Sequence, residues 1–304
     1  MTQRVDCLIV GGGPAGLTAA IYAARFRLSV RVIDSGEGRA AQIPCTRNHA
    51  GFPGGVSGKE LLKRMHAQAL EFGARVDRGA VSRLHLEAGG LAAETSLGRV
   101  EARAVLLATG VANCCPAMPP DLRGAAVAAG RLRFCPVCDG YEVRDQDVAV
   151  IGTSKHGVKE ALFLRAYTGR ITLVSPDGPH ALTASERAAL AEARVLVADG
   201  PVSKFRLESA GLGFQSTLGW RAFEAVYPAM GSIVHSSLAK GLAAKLAKDG
   251  CIKVDTHQRT SVQGLSAAGD VVKGLDQISH AMGQAGVAAT TIRNDLAATS
   301  PILR

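Results

Sequence analysis

A buried strand running into Gly11-Gly12-Gly13-Pro14-Ala15-Gly16 and then a helix, a second unit of the same kind at residues 147–174, and a tail strand ending in Gly269-Asp270 predict an α/β protein with two Rossmann-like dinucleotide-binding domains. The chain of 304 residues is long enough for two domains of ordinary size, each with its own core. Apolar residues make up 47% of it and aromatics only 4%, so alanine and glycine dominate, as in helices packed closely on a parallel sheet.

Composition excludes several classes. No apolar run reaches the roughly 18 residues of a spanning helix. The N-terminus enters a strand within a few residues, with neither a charged n-region before an apolar h-region nor a small-residue cleavage site, so a soluble cytoplasmic protein is expected. The net charge of +9 is scattered rather than clustered and has no interleaved aromatics, which reads as a solvated basic surface and not a nucleic-acid or membrane site. Seven cysteines in a chain of this length do not form a secreted disulfide framework. Cys7, Cys45, Cys114, Cys115 and Cys251 read mostly as small buried hydrophobes.

Taken in order, residues 5–10 form the first strand. In the following turn the first glycine bends the chain and the second lets the backbone approach a pyrophosphate. The third allows close helix–sheet packing, and the helix beginning near Leu17 offers the positive end of its dipole. The next strand, residues 29–33, ends in Asp34, 18 residues after Gly16, where an acid accepts hydrogen bonds from a ribose diol. Residues 36–58 form a loop containing Gln42, Asn48 and His49. A helix over residues 59–72 and a β-rich piece over residues 75–100 follow, broken at Gly89-Gly90. A strand then closes on Ala108-Thr109-Gly110, and a Pro-rich crossover at residues 116–120 leads away from it.

Residues 147–174 repeat the opening unit, but in altered form. Gly152-Thr153-Ser154-Lys155-His156-Gly157 has Ser154 at the second glycine position, where a Cβ obstructs a pyrophosphate. Ser175-Pro176-Asp177-Gly178 follows the second strand, with neither an acid at the strand end nor an arginine cluster for a 2′-phosphate, so NAD(P)H binding is doubtful. Residues 181–230 read as a helix and then strands, residues 237–249 as a helix, and residues 277–296 as the final helix. Asp270 at a strand end suits sugar-chain hydroxyls, and the final helix N-terminus suits a flavin edge that becomes anionic on reduction.

Between the two units stands Phe134-Cys135-Pro136-Val137-Cys138-Asp139-Gly140-Tyr141-Glu142. Two cysteines separated by two residues can close a disulfide or stabilise a thiolate, and the adjacent Asp139 is a natural proton donor to a leaving thiolate. A lone CxxC is equally half of a zinc site, but no second CxxC and no His pair accompanies it here, so with the nucleotide motifs it reads as redox and not as metal.

Gly11-Gly12-Gly13-Pro14-Ala15-Gly16-Leu17, Cys135-x-x-Cys138-Asp139-Gly140 and Gly269-Asp270, in this order over the whole length, resemble the low-molecular-weight thioredoxin reductases. The resemblance implies an FAD-binding domain over residues 1–115 and 246–304, with a nicotinamide-type domain over residues 116–245 inserted between. It implies FAD contacts from Gly11, Gly13, Pro14, Ala15, Gly16 and Asp34, from Gln42 and Asn48, from Thr109 and Gly110, and from Gly269, Asp270 and Gln277. It further implies a homodimer, Cys138 facing the flavin, Cys135 attacking a substrate disulfide, and Asp139 donating the proton. Two departures matter. The family's arginine run for NADPH is replaced after residue 174, and its arginine before Gln277 is Asp276 here. The Cys-Pro-x-Cys-x-Gly-Tyr-Glu wording is similar to the dithiol oxidases of gliotoxin-type natural products, which pass electrons from a dithiol through flavin to dioxygen. Those enzymes usually carry His where this chain has Asp139. His280, near the start of the last helix, is a candidate base. The expectation is therefore an FAD-dependent dithiol/disulfide oxidoreductase that works without NADPH, acting on a small dithiol with dioxygen as acceptor. The alternative is an NAD(P)H- or ferredoxin-dependent reductase of a thioredoxin-like protein, and a remoter one is a flavin-free binding protein of the same fold.

Overall fold

The computed structural model describes residues 3–300. Strand β1 (Gln3–Val10) buries Cys7, Leu8, Ile9 and Val10 and pairs in parallel with β2 (Val30–Asp34), Cys7 opposite Val30. Between them helix α1 (Pro14–Arg25) begins on a proline, whose missing N–H costs nothing at a first-turn position. Its alanines are buried nearly all round, which lets the helix lie close to its neighbours. Helix α2 (Gly58–Glu71) starts where Ser57 Oγ accepts from the Glu60 N–H at 3.2 Å. Strands β3 (Arg75–Arg78), β4 (Val81–Glu87), β5 (Gly90–Thr95) and β6 (Gly98–Leu107) follow. The β4–β5 turn needs Gly90, which has φ +156° and would place a Cβ 2.1 Å from the Ala102 carbonyl oxygen.

Beyond β7 (Val111–Asn113) and helices α3 (Pro120–Ala128) and α4 (Pro136–Asp139) comes the second βαβ unit. It consists of β8 (Asp147–Ile151), α5 (Ser154–Leu164) and β9 (Arg170–Val174). Helix α6 (Ala184–Glu192) and strand β10 (Leu196–Ala198) lead to the antiparallel β11 (Ser203–Leu207), β12 (Leu212–Ser216) and β13 (Gly219–Phe223). Strands β14 (Ala225–Pro228) and β15 (Ser232–Val234) precede α7 (Ser237–Gly241), β16 (Leu265–Ala267) and α8 (Ile278–Thr299).

The chain parts into two compact units: Met1–Ala41 with Ser57–Ala112 and Val234–Arg304, and Gln42–Val56 with Asn113–Ile233. The return crossing thus lies at residues 233–234, earlier than the expected 245–246. The reason is apolar: Leu238, Ala239 and Ala244 pack into the first core with Leu8, Val105 and Leu265. The expected helix over residues 237–249 is also shorter, ending at Gly241. Ala243 takes φ +57°, and the chain beyond it extends so that Leu246 and Val272 both bridge to Ile252.

In the first unit a seven-stranded sheet runs β3-β2-β1-β6-β5-β4, and the long β6 also pairs in parallel with β16 near its C-terminal end. The second unit holds a parallel sheet, β10-β9-β8-β14, and the β11–β13 sheet. Period-two alternation divides its apolar residues. Val148, Val150 and Tyr227 join Ala161, Leu164 and Leu190 of the helices, while Ala149, Ile151 and Val226 join Phe214 and Phe223. Each of the valine, leucine, isoleucine and phenylalanine side chains among them, once fully buried, contributes about 1.5–3 kcal/mol. Among the described residues no helix is long and apolar enough to cross a membrane.

Candidate active site: a redox disulfide and a dinucleotide cradle

Pro136 opens α4, and the four-residue turn folds Cys138 back on Cys135. The Cys138 N–H donates to the Cys135 carbonyl at 2.9 Å and to Cys135 Sγ at 3.1 Å, and the two sulfurs are joined in a disulfide. Both cysteines are half-buried, and the residues beside them face outward: Val137 is 50% and Tyr141 61% exposed. Among the described residues no three His, Cys, Asp or Glu side chains converge as a metal site.

Asp139 turns inward. Arg133 Nη1 donates to its Oδ2 at 2.9 Å, and the Tyr227 hydroxyl donates to its Oδ1 at 2.8 Å. Burial raises the carboxyl above its usual range. The Arg133 charge and the two hydrogen bonds offset that only in part, and Glu142 adds to the rise. Tyr227, buried on β14, is likewise raised by burial and by the charge of Asp139. Glu142 leaves Oε2 buried without a partner among the described residues, while its Oε1 lies 4.0 Å from Arg47.

In the first unit the glycine turn is built as its sequence demands. Gly11 has φ +107°, and a Cβ there would stand 2.3 Å from the Ala108 carbonyl oxygen. A Cβ on Gly16 would meet the Gly11 carbonyl oxygen at 1.9 Å, so this glycine serves helix–turn packing. Gly13 differs, because nothing lies within 4 Å of the Cβ it lacks. It is the N-cap of α1 and provides no side-chain cap, which leaves the first N–H groups of the helix open. Asp34 Oδ1 accepts from the Gly12 N–H at 2.9 Å, which pins the acid at the turn.

At the other end of the chain Gly269 takes φ +81° and its N–H donates to Gln284 Oε1 at 2.8 Å. Asp270 is raised by burial and by Asp276, against the Arg39 charge. Arg39 Nη2 donates to Asp270 Oδ2 at 2.7 Å and to Asp276 Oδ2 at 3.3 Å. His280 Nε2 is buried with no partner among the described residues, facing Gly274.

The second βαβ turn is different. Ser154, a residue with a Cβ, takes φ +52° where it begins α5. The loop after β9 folds inward: buried His180 donates its N–H to Asp199 Oδ1 at 2.8 Å, and its Nε2 lies 3.3 Å from the Leu173 carbonyl oxygen. Arg187 is turned to the His180 carbonyl at 3.3 Å. His156 pairs with Glu160 at 3.2 Å, and that hydrogen bond raises its pKa.

Residues 5–285 match the family model of the pyridine nucleotide-disulphide oxidoreductases. The chain belongs to that family. It is 32% identical over 281 residues to a thioredoxin reductase of Mycolicibacterium smegmatis, covering 88% of each chain. Among solved structures it is similar to HlmI, with a TM-score of 0.89 and 29% identity over 98% of this chain and 95% of that one. It is also similar to the thioredoxin reductase of Streptococcus pyogenes MGAS5005, with a TM-score of 0.88 and 28% identity over 98% and 100%.

As a member of the pyridine nucleotide-disulphide oxidoreductases the chain is an FAD-dependent disulfide oxidoreductase with two dinucleotide-binding domains. Its residues fit FAD: the space beside Gly13, the uncapped start of α1, and Asp34 set at the turn form a cradle that a Cβ would fill. Gly11, Gly13, Pro14, Ala15, Gly16 and Asp34 are brought together, as are Gly269, Asp270, Gln277 and His280 about the start of α8. Thr109 and Gly110 follow β6, with Thr109 Oγ1 donating to the His235 carbonyl at 2.7 Å. Gln42 and Asn48 fall in the second unit, where Asn48 Oδ1 accepts from Thr46 Oγ1 at 2.9 Å. Sequence reasoning passed over Arg133, Tyr227 and Arg39. A tyrosine in an otherwise apolar core strand is the one signal that could have marked Tyr227, since a buried hydroxyl seeks a partner.

Proposed function

We propose that this enzyme oxidises small dithiols to disulfides through Cys135 and Cys138, with FAD held in the first unit, no nicotinamide partner, and dioxygen as terminal acceptor. The net reaction converts a dithiol and dioxygen into a disulfide and hydrogen peroxide. The observation that carries this reading is the second glycine turn. Ser154 occupies a left-handed position with a Cβ at the place of pyrophosphate approach, and residues 175–183 contain no lysine or arginine for a 2′-phosphate. Two missing charge-assisted contacts, at about 1.5–3 kcal/mol each, weaken NADPH binding by more than about a hundredfold.

When bound, FAD supplies the acceptor for the electron pair of the thiols. Gly13 and the first turn of α1 would hold its pyrophosphate, Asp34 its ribose and Asp270 its sugar chain, with Thr109, Gly110 and Gln277 as further holders. Cys135 meets the substrate sulfur on a segment whose Val137 and Tyr141 are exposed, Cys138 is the flavin-side sulfur, and Asp139 holds the proton. The first unit's Asp270 cluster is where His280 acts. The enzyme works as a homodimer in the cytoplasm.

Oxygen uptake with dithiothreitol tests the proposal. One dioxygen consumed per dithiol oxidised, with no nicotinamide present, is expected, and Cys135→Ser and Cys138→Ser each reduce the rate at least ~100-fold. Uptake that survives in the double serine variant contradicts the site. A second reading, reduction of a thioredoxin-like protein, draws support from the thioredoxin reductase relatives and from the acid at Asp139. It predicts bleaching of the flavin by NADPH or by reduced ferredoxin and no oxygen uptake.

A further inference from the structure

Asp139 is held from both sides, and neither holder belongs to the CxxC segment. Arg133 comes from the chain before α4, and Tyr227 from β14, 88 positions further on. Each carboxyl oxygen has its own partner: Oδ2 the guanidinium, Oδ1 the phenol. We propose that Arg133 and Tyr227 are positioning residues that fix the carboxyl of Asp139, the residue after Cys138 of the redox pair, and set the pH at which it carries the proton.

The partners differ in what they permit. Arginine is a donor in every state and never loses its proton, so Oδ2 stays an acceptor. A phenol both donates and accepts, so Tyr227 can donate to the carboxylate and accept from the acid, but the first bond is charge-assisted and stronger, so its hydroxyl on balance favours the ionised form. The proton therefore resides on Oδ1, the Tyr227 side. Burial favours the neutral acid, and the fixed Arg133 cation opposes it, which sets the titration between the two extremes. Tyr227 is fully buried on β14, so its hydroxyl meets the carboxyl from a packed core strand.

The proton has a defined use. A dithiol substrate attacks Cys135 Sγ as a thiolate; a mixed disulfide forms as the Cys135–Cys138 bond breaks, and the electron pair of that bond leaves on the Cys138 sulfur. Asp139, next in the chain, gives that sulfur its proton. The second substrate thiolate then attacks the mixed disulfide, leaving oxidised substrate and a reduced pair. No oxidant beyond the disulfide itself is consumed in these steps.

This inference rests on the proposed dithiol chemistry, so its test uses readouts that need no terminal acceptor. In the holoenzyme without oxygen, opening of the Cys135–Cys138 disulfide by dithiothreitol is followed by thiol alkylation across pH. The Asp139 carboxyl is titrated separately by ¹³C NMR and identified by loss of its signal in Asp139→Asn. Tyr227→Phe, which removes only the hydroxyl, is expected to move the Asp139 midpoint up by about 0.5–1 pH unit. Arg133→Met moves it further up, and Arg133→Lys, which keeps the charge, returns most of the shift. The same displacement appears in the pH profile of disulfide opening. An unmoved midpoint in correctly folded Tyr227→Phe overturns the proposal, as does an Arg133→Lys shift equal to that of Arg133→Met. If Arg133→Met does not fold, Tyr227→Phe decides alone. A parent disulfide that dithiothreitol does not open refutes the dithiol chemistry, while the NMR titration still tests the clamp.

Discussion

Asp6 and Asp139 show how one residue type is sent in opposite directions. Burial pushes Asp6 up, but hydrogen bonds from the Ser29 backbone and hydroxyl and from Arg103 outweigh it and hold its carboxyl below 3.8. Its stabilisation is therefore present above that value and lost as pH falls through the lowered one. Asp139 and Asp270 are raised, so their contribution is fully present below 3.8 and lost as pH rises through their raised values. Asp6→Asn is expected to lower the melting temperature at pH 7, by a difference that shrinks progressively as pH falls below 3.8, as a series of thermal unfolding scans across acid pH reads. A gap that persists unchanged at low pH contradicts the assignment. The Cys135–Cys138 disulfide was legible in the sequence because a CxxC pair carries its signal in local spacing. Arg133, Tyr227 and Arg39 were not, because their partners come from remote stretches that only the fold brings together.

At the scale of elements the glycine turn of the first unit separates folding from binding. Gly16 cannot accept a Cβ, because the Gly11 carbonyl oxygen is 1.9 Å from where it would stand, whereas Gly13 has open space there. Gly16→Ala is expected to destabilise the protein itself by several kcal/mol, enough to prevent folding of the unit. Gly13→Ala is expected to leave the melting temperature of the flavin-free protein within about 2 °C of the parent while weakening FAD affinity at least ~10-fold, since the added methyl fills the cradle. Differential scanning fluorimetry and flavin fluorescence quenching measure the two quantities. A Gly13→Ala variant that binds FAD as the parent does contradicts the cradle. The βαβ periodicities were readable in the sequence because strand, turn and helix each carry their own local signal. The stretch after Ser237 was not: its composition suits a helix, but burying Ile252 against Val272 draws the chain out instead.

At the scale of the molecule, two βαβ units of common design have diverged in their turns. The first keeps the glycines and an open helix start; the second carries Ser154 with φ +52° and a loop closed on His180 and Asp199. The family and its two dinucleotide-binding domains were legible in motif order, but the boundaries were not, because residues 234–245 follow apolar packing rather than motif and join the first core. That the enzyme works without a nicotinamide is the central proposal, and anaerobic stopped-flow on the oxidised holoenzyme tests it most directly. Mixed in turn with NADPH, NADH and dithiothreitol, the flavin absorbance is expected to bleach with the dithiol and to stay unchanged with either nucleotide at micromolar concentration. Rapid bleaching by micromolar NADPH, with none by the dithiol, contradicts the account and makes the enzyme a nicotinamide-driven reductase.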